Sequence, residues 1–263
     1  MKLEEKTITV DGLKTKFLHG GSGQKILLLH GWGSQSEKYR ISFENFPENN
    51  GEVFIPDLPC FGMTGCPTEA WNISDYVEWV KKFIFEVKIS DYVLVGHSFG
   101  GRIAIKFSSE NPTNLKGIVL YSAAGITPQN KIKNSVYFGI AKTGKAILRI
   151  LRLNFISNLL KKLLYKSAGV KDYNNANNQR KEIMKKVISE NLEKYLKDIS
   201  QPVVLLWGSK DTETPLSDAE IIRKEINNSQ TIVVDGAGHA IHIENPILFA
   251  SKIQEALRKL TYA

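Results

Sequence analysis

Short apolar runs and longer amphipathic stretches alternate along this chain of 263 residues. Apolar or alternating runs predict eight strands, at residues 7–10, 14–19, 25–29, 52–56, 92–95, 117–121, 203–207 and 231–234. Apolar positions near every 3.6 residues predict the main helices, at residues 73–87, 101–107, 216–226 and 246–260. This alternation predicts an α/β fold with a mostly parallel sheet and helices on both faces.

One long segment interrupts the alternation. Residues 127–196 follow the sixth predicted strand, are helical in pattern and contain no convincing strand. We therefore predict two parts: a core domain formed by residues 1–126 and 197–263, and an inserted helical cap formed by residues 127–196.

Charge is distributed unevenly over these two parts. The formal net charge is +8, with ordinary apolar (42%) and charged (24%) contents for a globular protein. Residues 126–198 contain 16 Lys or Arg and 5 Asp or Glu, so they carry +11, while the remainder carries −3. A basic segment can be a solvated helical face, or it can attract an acidic partner or a membrane surface.

A candidate nucleophile lies between a strand and a helix. The sequence Gly96-His97-Ser98-Phe99-Gly100 fits the G-x-S-x-G pattern and joins the strand at 92–95 to the helix at 101–107. In such a turn the serine is strained, and small residues two positions before and after it avoid a clash. The N–H groups at the start of the helix point to where negative charge would develop.

An acid and a base follow in the order that this type of sheet requires. Asp211 comes directly after the strand at 203–207, and His239 comes directly after the strand at 231–234. A serine hydroxyl needs a general base that a third group orients. We predict that Ser98 Oγ meets one ring nitrogen of His239 and that Asp211 holds the other.

Other residues could compete for these roles. His242 is the rival base, whereas we expect His97 to be a packing or pocket residue and His30 to be a satisfied structural group. Glu213 and Asp218 are rival acids, but both lie past the strand end, near a helix start where acids often cap.

Two backbone N–H groups are predicted to hold the oxyanion. The residue after the nucleophile, Phe99, supplies one donor. The loop after the strand at 25–29 supplies the other, which we assign to Trp32, because Gly31 and Gly33 allow the backbone to turn inward. The Trp32 side chain is then available for the pocket wall or for packing.

Cysteine usage and hydropathy bear on the location of the protein. Cys60 and Cys66 are the two cysteines, lack metal-ligand spacing and are expected to be free thiols in a reducing compartment. The chain shows neither an apolar leader near Met1 nor an apolar run long enough to span a membrane. We therefore expect a cytoplasmic protein without a transmembrane segment.

Together these motifs resemble the α/β-hydrolase superfamily over essentially the whole chain. The residues that carry the resemblance are His30-Gly31-Trp32-Gly33, Asp57-Leu58-Pro59-Cys60-Phe61-Gly62, Gly96-His97-Ser98-Phe99-Gly100-Gly101, Trp207-Gly208-Ser209-Lys210-Asp211 and Gly236-Ala237-Gly238-His239. The resemblance implies an eight-stranded sheet with a helical cap inserted over the site. Cys60 stands where the family usually has glycine, and Thr64 where it usually has serine.

Within that superfamily the chain looks most like small carboxylesterases and C–C bond hydrolases. We expect a serine hydrolase that cleaves carboxylic esters, thioesters or lactones through an acyl-enzyme on Ser98, without a metal or organic cofactor. C–C bond hydrolysis of diketone-type acids and a slow-turnover ligand receptor are the alternatives. Serine in place of aspartate argues against dehalogenases and epoxide hydrolases.

The predicted cap bears on the partners. Residues 131–166 combine apolar positions at helical spacing with interleaved Lys and Arg. Their apolar face can roof an acyl pocket, their cations can attract an anionic substrate or an acidic carrier protein, or the segment can lie on anionic lipid. We expect a small-molecule ester substrate and no nucleic-acid partner.

Overall fold

Eight strands form one sheet in the computed structural model, which describes residues 1–126 and 178–261. They are β1 (Glu4–Val10), β2 (Leu13–Ser22), β3 (Lys25–Leu29), β4 (Gly51–Pro56), β5 (Tyr92–His97), β6 (Leu115–Tyr121), β7 (Val203–Gly208) and β8 (Ser229–Val234). All eight predicted strands are confirmed, most of them lengthened by one to three residues.

The spatial order of the strands is β1-β2-β4-β3-β5-β6-β7-β8. Strand β1 pairs antiparallel with β2, and β2 pairs antiparallel with β4. All later pairs, from β4–β3 to β7–β8, are parallel. Because parallel strands end at the same edge of a sheet, the loops after β3, β5, β7 and β8 meet at one edge.

Seven α-helices belong to the described residues: α1 (Arg40–Glu44), α2 (Ile73–Glu86), α3 (Phe99–Ser108), α4 (Asn178–Ser189), α5 (Leu216–Glu225), α6 (Ile241–Glu244) and α7 (Pro246–Thr261). Helices α1 and α6 were not predicted, because segments this short do not show a helical period. Within residues 1–126 and 178–261, every helix is too short or too polar to cross a membrane.

The core lies on both faces of the sheet. On β3, Leu27 and Leu29 join the cluster beneath α2, α3 and α5, whereas Ile26 and Leu28 join the cluster beneath α1 and α7. All four side chains are buried. A strand covered on both faces needs apolar residues at consecutive positions, which is why this run is continuous rather than alternating.

Cys60 and Cys66 are joined in a disulfide, so the expectation of two free thiols is wrong. Cys60 has a φ of 73°, and its N–H donates to the carbonyl of Gly65 at 3.1 Å. The loop therefore turns back on itself and brings the two residues together, which their spacing alone does not reveal. The inference of a reducing compartment from free thiols no longer holds. The left-handed backbone also explains why a glycine is usual at this position.

The predicted cap lies largely outside the described residues. Residues 1–126 and 177–263 form one compact unit, which includes α4 and a 3₁₀ turn at Glu193–Asp198. The basic apolar stretch at 131–166, on which the acyl pocket roof and the acidic or lipid partners depend, is outside the described part of the chain. The limits of the insertion at residues 127 and 196 stay a prediction.

Candidate active site

Ser98 occupies a strained turn between β5 and α3. Its φ is 50° and its ψ is −108°, in a region that non-glycine residues rarely adopt. Backbone hydrogen bonds hold this conformation. The Ser98 N–H donates to the carbonyl of Tyr121 at 3.1 Å, and its carbonyl accepts from the N–H groups of Arg102 at 3.2 Å and Ala124 at 3.0 Å. The surrounding structure thus fixes the position of the serine.

Close backbone approach explains the glycines around Ser98. A Cβ atom on Gly100 would lie 2.1 Å from the carbonyl oxygen of Leu29, and one on Gly96 would lie 2.7 Å from Cβ of Ala104. Neither separation is possible for a real side chain. The G-x-S-x-G pattern is therefore a packing requirement of this turn.

The two residues predicted to supply the oxyanion donors, Trp32 and Phe99, lie close together. Neither the Trp32 N–H nor the Phe99 N–H donates a hydrogen bond to any residue in the described part of the chain. Their rings meet edge to face at 5.3 Å, and Phe61 packs on both. The N–H of Gly100 donates to the carbonyl of His30 at 3.1 Å, which ties the loop after β3 to the start of α3.

Asp211 and His239 are in direct contact at the same edge of the sheet. His239 Nδ1 lies 2.9 Å from Asp211 Oδ2. The other carboxylate oxygen accepts from the N–H groups of Glu213 at 2.9 Å and Thr214 at 3.0 Å, and the Thr214 hydroxyl donates to Oδ2 at 2.9 Å. The Asp211 side chain is fully buried and oriented by these donors.

These donors also set the charge of the acid. Burial raises the pKa of Asp211, but the hydrogen bond and charge of His239 and the Thr214 N–H oppose it, so the pKa lies below its ordinary value. Asp211 is therefore a carboxylate at neutral pH. It can orient the His239 ring and stabilise an imidazolium.

The structure brings Asp211 and His239 together but records no hydrogen bond between Ser98 Oγ and the His239 ring in the described residues. The second ring nitrogen, Nε2, lies 3.6 Å from Glu213 Oε2. The loop of His239 nevertheless touches the nucleophile turn, because His97 Nε2 lies 3.2 Å from the carbonyl oxygen of His239. The Ser98–His239 hydrogen bond stays a prediction.

The remaining histidines of the site are buried. His30 accepts from the Leu58 N–H at 2.9 Å through Nε2 and donates to the Gly31 carbonyl at 2.8 Å through Nδ1. His242, on α6, lies 3.0 Å from the Tyr121 hydroxyl. Burial lowers the pKa of His30, and it lowers that of His242 to about 3. Both rings therefore fit structural roles at neutral pH.

The two rival acids occupy different places. Glu213 is partly exposed and faces the nitrogen of His239 opposite to the one that Asp211 contacts. Asp218 lies in the first turn of α5 and is buried. Burial, together with the nearby charge of Asp211, raises the pKa of Asp218 to about 6. No hydrogen bond from Asp218 to His239 is present in the described residues.

Sequence reasoning missed Thr214 and Tyr39. Thr214 links Asp211 to His239, since its hydroxyl also lies 3.2 Å from His239 Nδ1. A threonine three residues after an aspartate is a local turn pattern that could have indicated this contact. Tyr39 comes from a distant part of the chain and carries no such signal. Within residues 1–126 and 178–261, no three acidic, histidine or cysteine side chains are grouped to bind a metal.

Comparison with known proteins agrees with this geometry. Residues 25–246 match the family described as the alpha/beta hydrolase fold. Similar proteins include Lipase 1 of Psychrobacter immobilis, 25% identical over 92% of this chain and 80% of the lipase. Another is the monoacylglycerol lipase abhd6-A of Xenopus laevis, 22% identical over 91% of this chain and 77% of that protein.

A solved structure shares the architecture. A membrane phospholipase A, described as a bacterial virulence factor, matches with a TM-score of 0.78 and 24% identity, over 99% of this chain and 87% of that one. The family model matches residues 25–246, which is more than half of the chain, and the similar structure has the same fold. The chain belongs to the α/β-hydrolase family.

Proposed function

We propose that this protein is a serine hydrolase that cleaves carboxylic esters. The observation that carries the proposal is the 2.9 Å contact between Asp211 and His239 at the sheet edge where the strained Ser98 directly precedes α3. A serine, an acid and a base, each at the end of a strand and in this chain order, are the requirements of nucleophilic acyl transfer in a sheet of this type.

Acylation begins when His239 Nε2 takes the proton of Ser98 Oγ and the oxygen attacks the ester carbonyl carbon. The carbonyl oxygen becomes an oxyanion, which the N–H groups of Trp32 and Phe99 stabilise. His239 then gives its proton to the departing alcohol oxygen, which leaves an acyl group on Ser98. Hydrogen bonds of this kind commonly shorten when a substrate binds, which is consistent with the absence of a Ser98–His239 bond.

Deacylation repeats these steps with water. His239 takes a proton from the water molecule as its oxygen attacks the acyl carbon, and the same two N–H groups stabilise the second oxyanion. Ser98 Oγ leaves and recovers its proton from His239, which releases the carboxylic acid. Asp211 carries its negative charge throughout and balances the imidazolium of His239.

The same chemistry extends to thioesters and lactones, since both present an activated carbonyl. The names of the similar proteins, a lipase and a monoacylglycerol lipase, support an ester as the substrate class. No contact in the described residues favours a C–C bond substrate. We therefore propose a small-molecule ester as the substrate.

Hydrolysis of p-nitrophenyl esters from acetate to laurate tests the proposal. We expect wild-type turnover with a chain-length optimum, and a fall in kcat of about 10⁴-fold or more for Ser98→Ala. A fluorophosphonate probe should label wild type and leave Ser98→Ala unlabelled.

Ser108→Ala is a matched control on the same helix. The Ser108 hydroxyl is buried and has no hydrogen-bond partner in the described residues, so its removal should leave turnover unchanged. If folded wild type hydrolyses none of these esters, or if Ser98→Ala remains active, the proposal is wrong.

A further inference from the structure

A cluster of buried aromatic and histidine rings lies directly behind Ser98. It consists of Tyr39 at the end of a 3₁₀ turn (Ser36–Tyr39), His97 at the end of β5, Tyr121 at the end of β6, and His242 on α6. His97 stacks on Tyr121 at 4.3 Å, and Tyr39 stacks on His242 at 4.1 Å. These four elements are far apart in the sequence, and the cluster joins them beneath the candidate site.

Both ring nitrogens of His97 have hydrogen-bond partners. Nε2 lies 3.2 Å from the carbonyl oxygen of His239, and Nδ1 lies 2.8 Å from the hydroxyl of Tyr39. A carbonyl oxygen only accepts hydrogen bonds, so the proton of the neutral ring must be on Nε2. Nδ1 is then an acceptor, and the Tyr39 hydroxyl must be its donor.

The environment keeps both groups in these forms. Burial holds the pKa of His97 well below its ordinary value, and the neighbouring histidines His242 and His239 lower it further. Burial also holds the pKa of Tyr39 well above its ordinary value. His97 is therefore neutral and Tyr39 is protonated at neutral pH.

This contact fixes the part of the chain that bears the base. Among the described residues, the bond from His97 is the only hydrogen bond made by the backbone groups of His239 itself. The side chain of His239 is anchored separately, by Asp211. His97 directly precedes Ser98 in the sequence. The hydrogen bond from His97 therefore limits how far the His239 backbone can move relative to Ser98.

We infer that His97 is a positioning residue, which holds the backbone of His239 at a fixed distance from Ser98 while Tyr39 keeps the His97 proton on the required nitrogen. The inference rests on the proposed function, because it assigns His239 as the base. A displacement of about 1 Å between catalytic groups lowers a rate about 100-fold, so a single backbone contact of this kind can matter.

Two substitutions of His97 distinguish the effect of its hydrogen bond to the His239 carbonyl from the effect of the space that its side chain fills. Gln carries an amide N–H at the distance of the imidazole Nε2, whereas Leu fills space without a donor. On p-nitrophenyl butyrate we expect His97→Leu to lower kcat about 30- to 100-fold with KM changed less than about twofold. His97→Gln should recover kcat to within about fivefold of wild type.

A double-mutant cycle tests the part assigned to Tyr39. Tyr39→Phe removes one hydroxyl and frees His97 to move its proton to Nδ1, so kcat should fall about 2- to 10-fold, the cost of one hydrogen bond. The side-chain amide nitrogen of Gln always carries its protons, so Tyr39 is not needed to keep a proton there. In the His97→Gln background, Tyr39→Phe should therefore change kcat less than about twofold.

Folding and the general effect of a lost hydroxyl need controls. Tyr92→Phe deletes the hydroxyl of a buried tyrosine at the opposite end of β5, where no hydrogen bond of this hydroxyl is recorded in the described residues, and should leave kcat unchanged. Tm measurements identify any variant that fails to fold. If His97→Leu destabilises the chain, the cycle of Tyr39→Phe and His97→Gln still decides the question.

Three results would overturn the inference: full kcat in folded His97→Leu, equal losses of kcat in His97→Gln and His97→Leu, or an equal effect of Tyr39→Phe on kcat in both backgrounds.

Failure of this inference can be distinguished from failure of the proposed function. If wild type hydrolyses no ester, the proposed function fails. The same variants are then compared by their rate of reaction with the fluorophosphonate probe, which also needs a base beside Ser98.

Discussion

The nucleophile side and the base side of the site are built by different forces. On the nucleophile side, Ser98 is held by three backbone hydrogen bonds and by glycines packed against neighbouring backbone. On the base side, Asp211 and His239 lie in loops after β7 and β8 and are held largely by hydrogen bonds of their side chains. The nucleophile side is therefore held by tight backbone packing, and the base side is held by a network of polar side-chain contacts.

This difference predicts different responses to substitution. A steric site has almost no room for an added atom, so changes there should damage the fold. A polar network can lose one partner and keep its shape, so changes there should damage the rate while the fold survives. Comparing free energies of unfolding with kcat across both sides tests this distinction.

Asp211→Asn should have the largest effect, on the base side. The amide places an N–H group toward His239 Nδ1 and favours the wrong tautomer of the ring, so kcat should fall about 10⁴-fold. Because Asn keeps the shape of Asp, we expect Tm to change by only a few degrees. Steady-state ester kinetics and a thermal scan measure both, and a loss under tenfold would show that Asp211 is not the orienting acid.

Gly100→Ala should cost the most stability, on the nucleophile side. Its Cβ would lie 2.1 Å from the Leu29 carbonyl oxygen, so the turn must distort. We expect the free energy of unfolding to fall by about 3–5 kcal/mol in urea titrations.

Gly65→Ala is its control. Among the described residues, a Cβ there would meet only Leu13 Cδ2, at an ordinary 3.7 Å, so the stability should change by less than about 0.5 kcal/mol. Equal stabilities of the two variants would contradict the steric account.

Asp218→Asn should stabilise the protein at neutral pH. The folded-state pKa of Asp218 is raised to about 6, so wild type loses stability as pH rises from the unfolded value near 4 through 6, and the full penalty is present at pH 7. Removing the charge should add about 1–3 kcal/mol at pH 7. At pH 4 the gain should fall below about 0.5 kcal/mol, because Asp218 is then protonated in the folded wild type. Urea titrations at both pH values decide this, and a loss at pH 7 would contradict it.

Glu213→Gln should have the smallest effect. Its carboxylate is 3.6 Å from His239 Nε2, and its side chain is 39% exposed, so water screens the charge. We expect kcat on a neutral ester to change less than about threefold. This variant is also the matched carboxylate-to-amide control for Asp211→Asn. A comparable loss of kcat in both variants would indicate that Glu213 also acts as an orienting acid.

Local pattern made most of the fold predictable. The continuous apolar run of β3 and the G-x-S-x-G pattern around Ser98 are each visible in a few consecutive residues, and both predictions agree with the structure. The short helices α1 and α6 escaped prediction because they contain too few residues to show a period. The Cys60–Cys66 disulfide escaped it because the turn that closes it depends on a left-handed backbone at a cysteine.

The sequence by itself determined the sheet, the order of Ser98, Asp211 and His239 at strand ends, and the glycines that the nucleophile turn requires. Each of these features appears in a few consecutive residues, so it is visible in a linear pattern. Only the tertiary structure decided that Thr214 bridges the acid and the base, that Tyr39 contacts His97, and that His97 reaches the carbonyl of His239. Hydrogen bonds between distant segments depend on distances of a few tenths of an ångström, which are set only when the packed sheet brings those segments together.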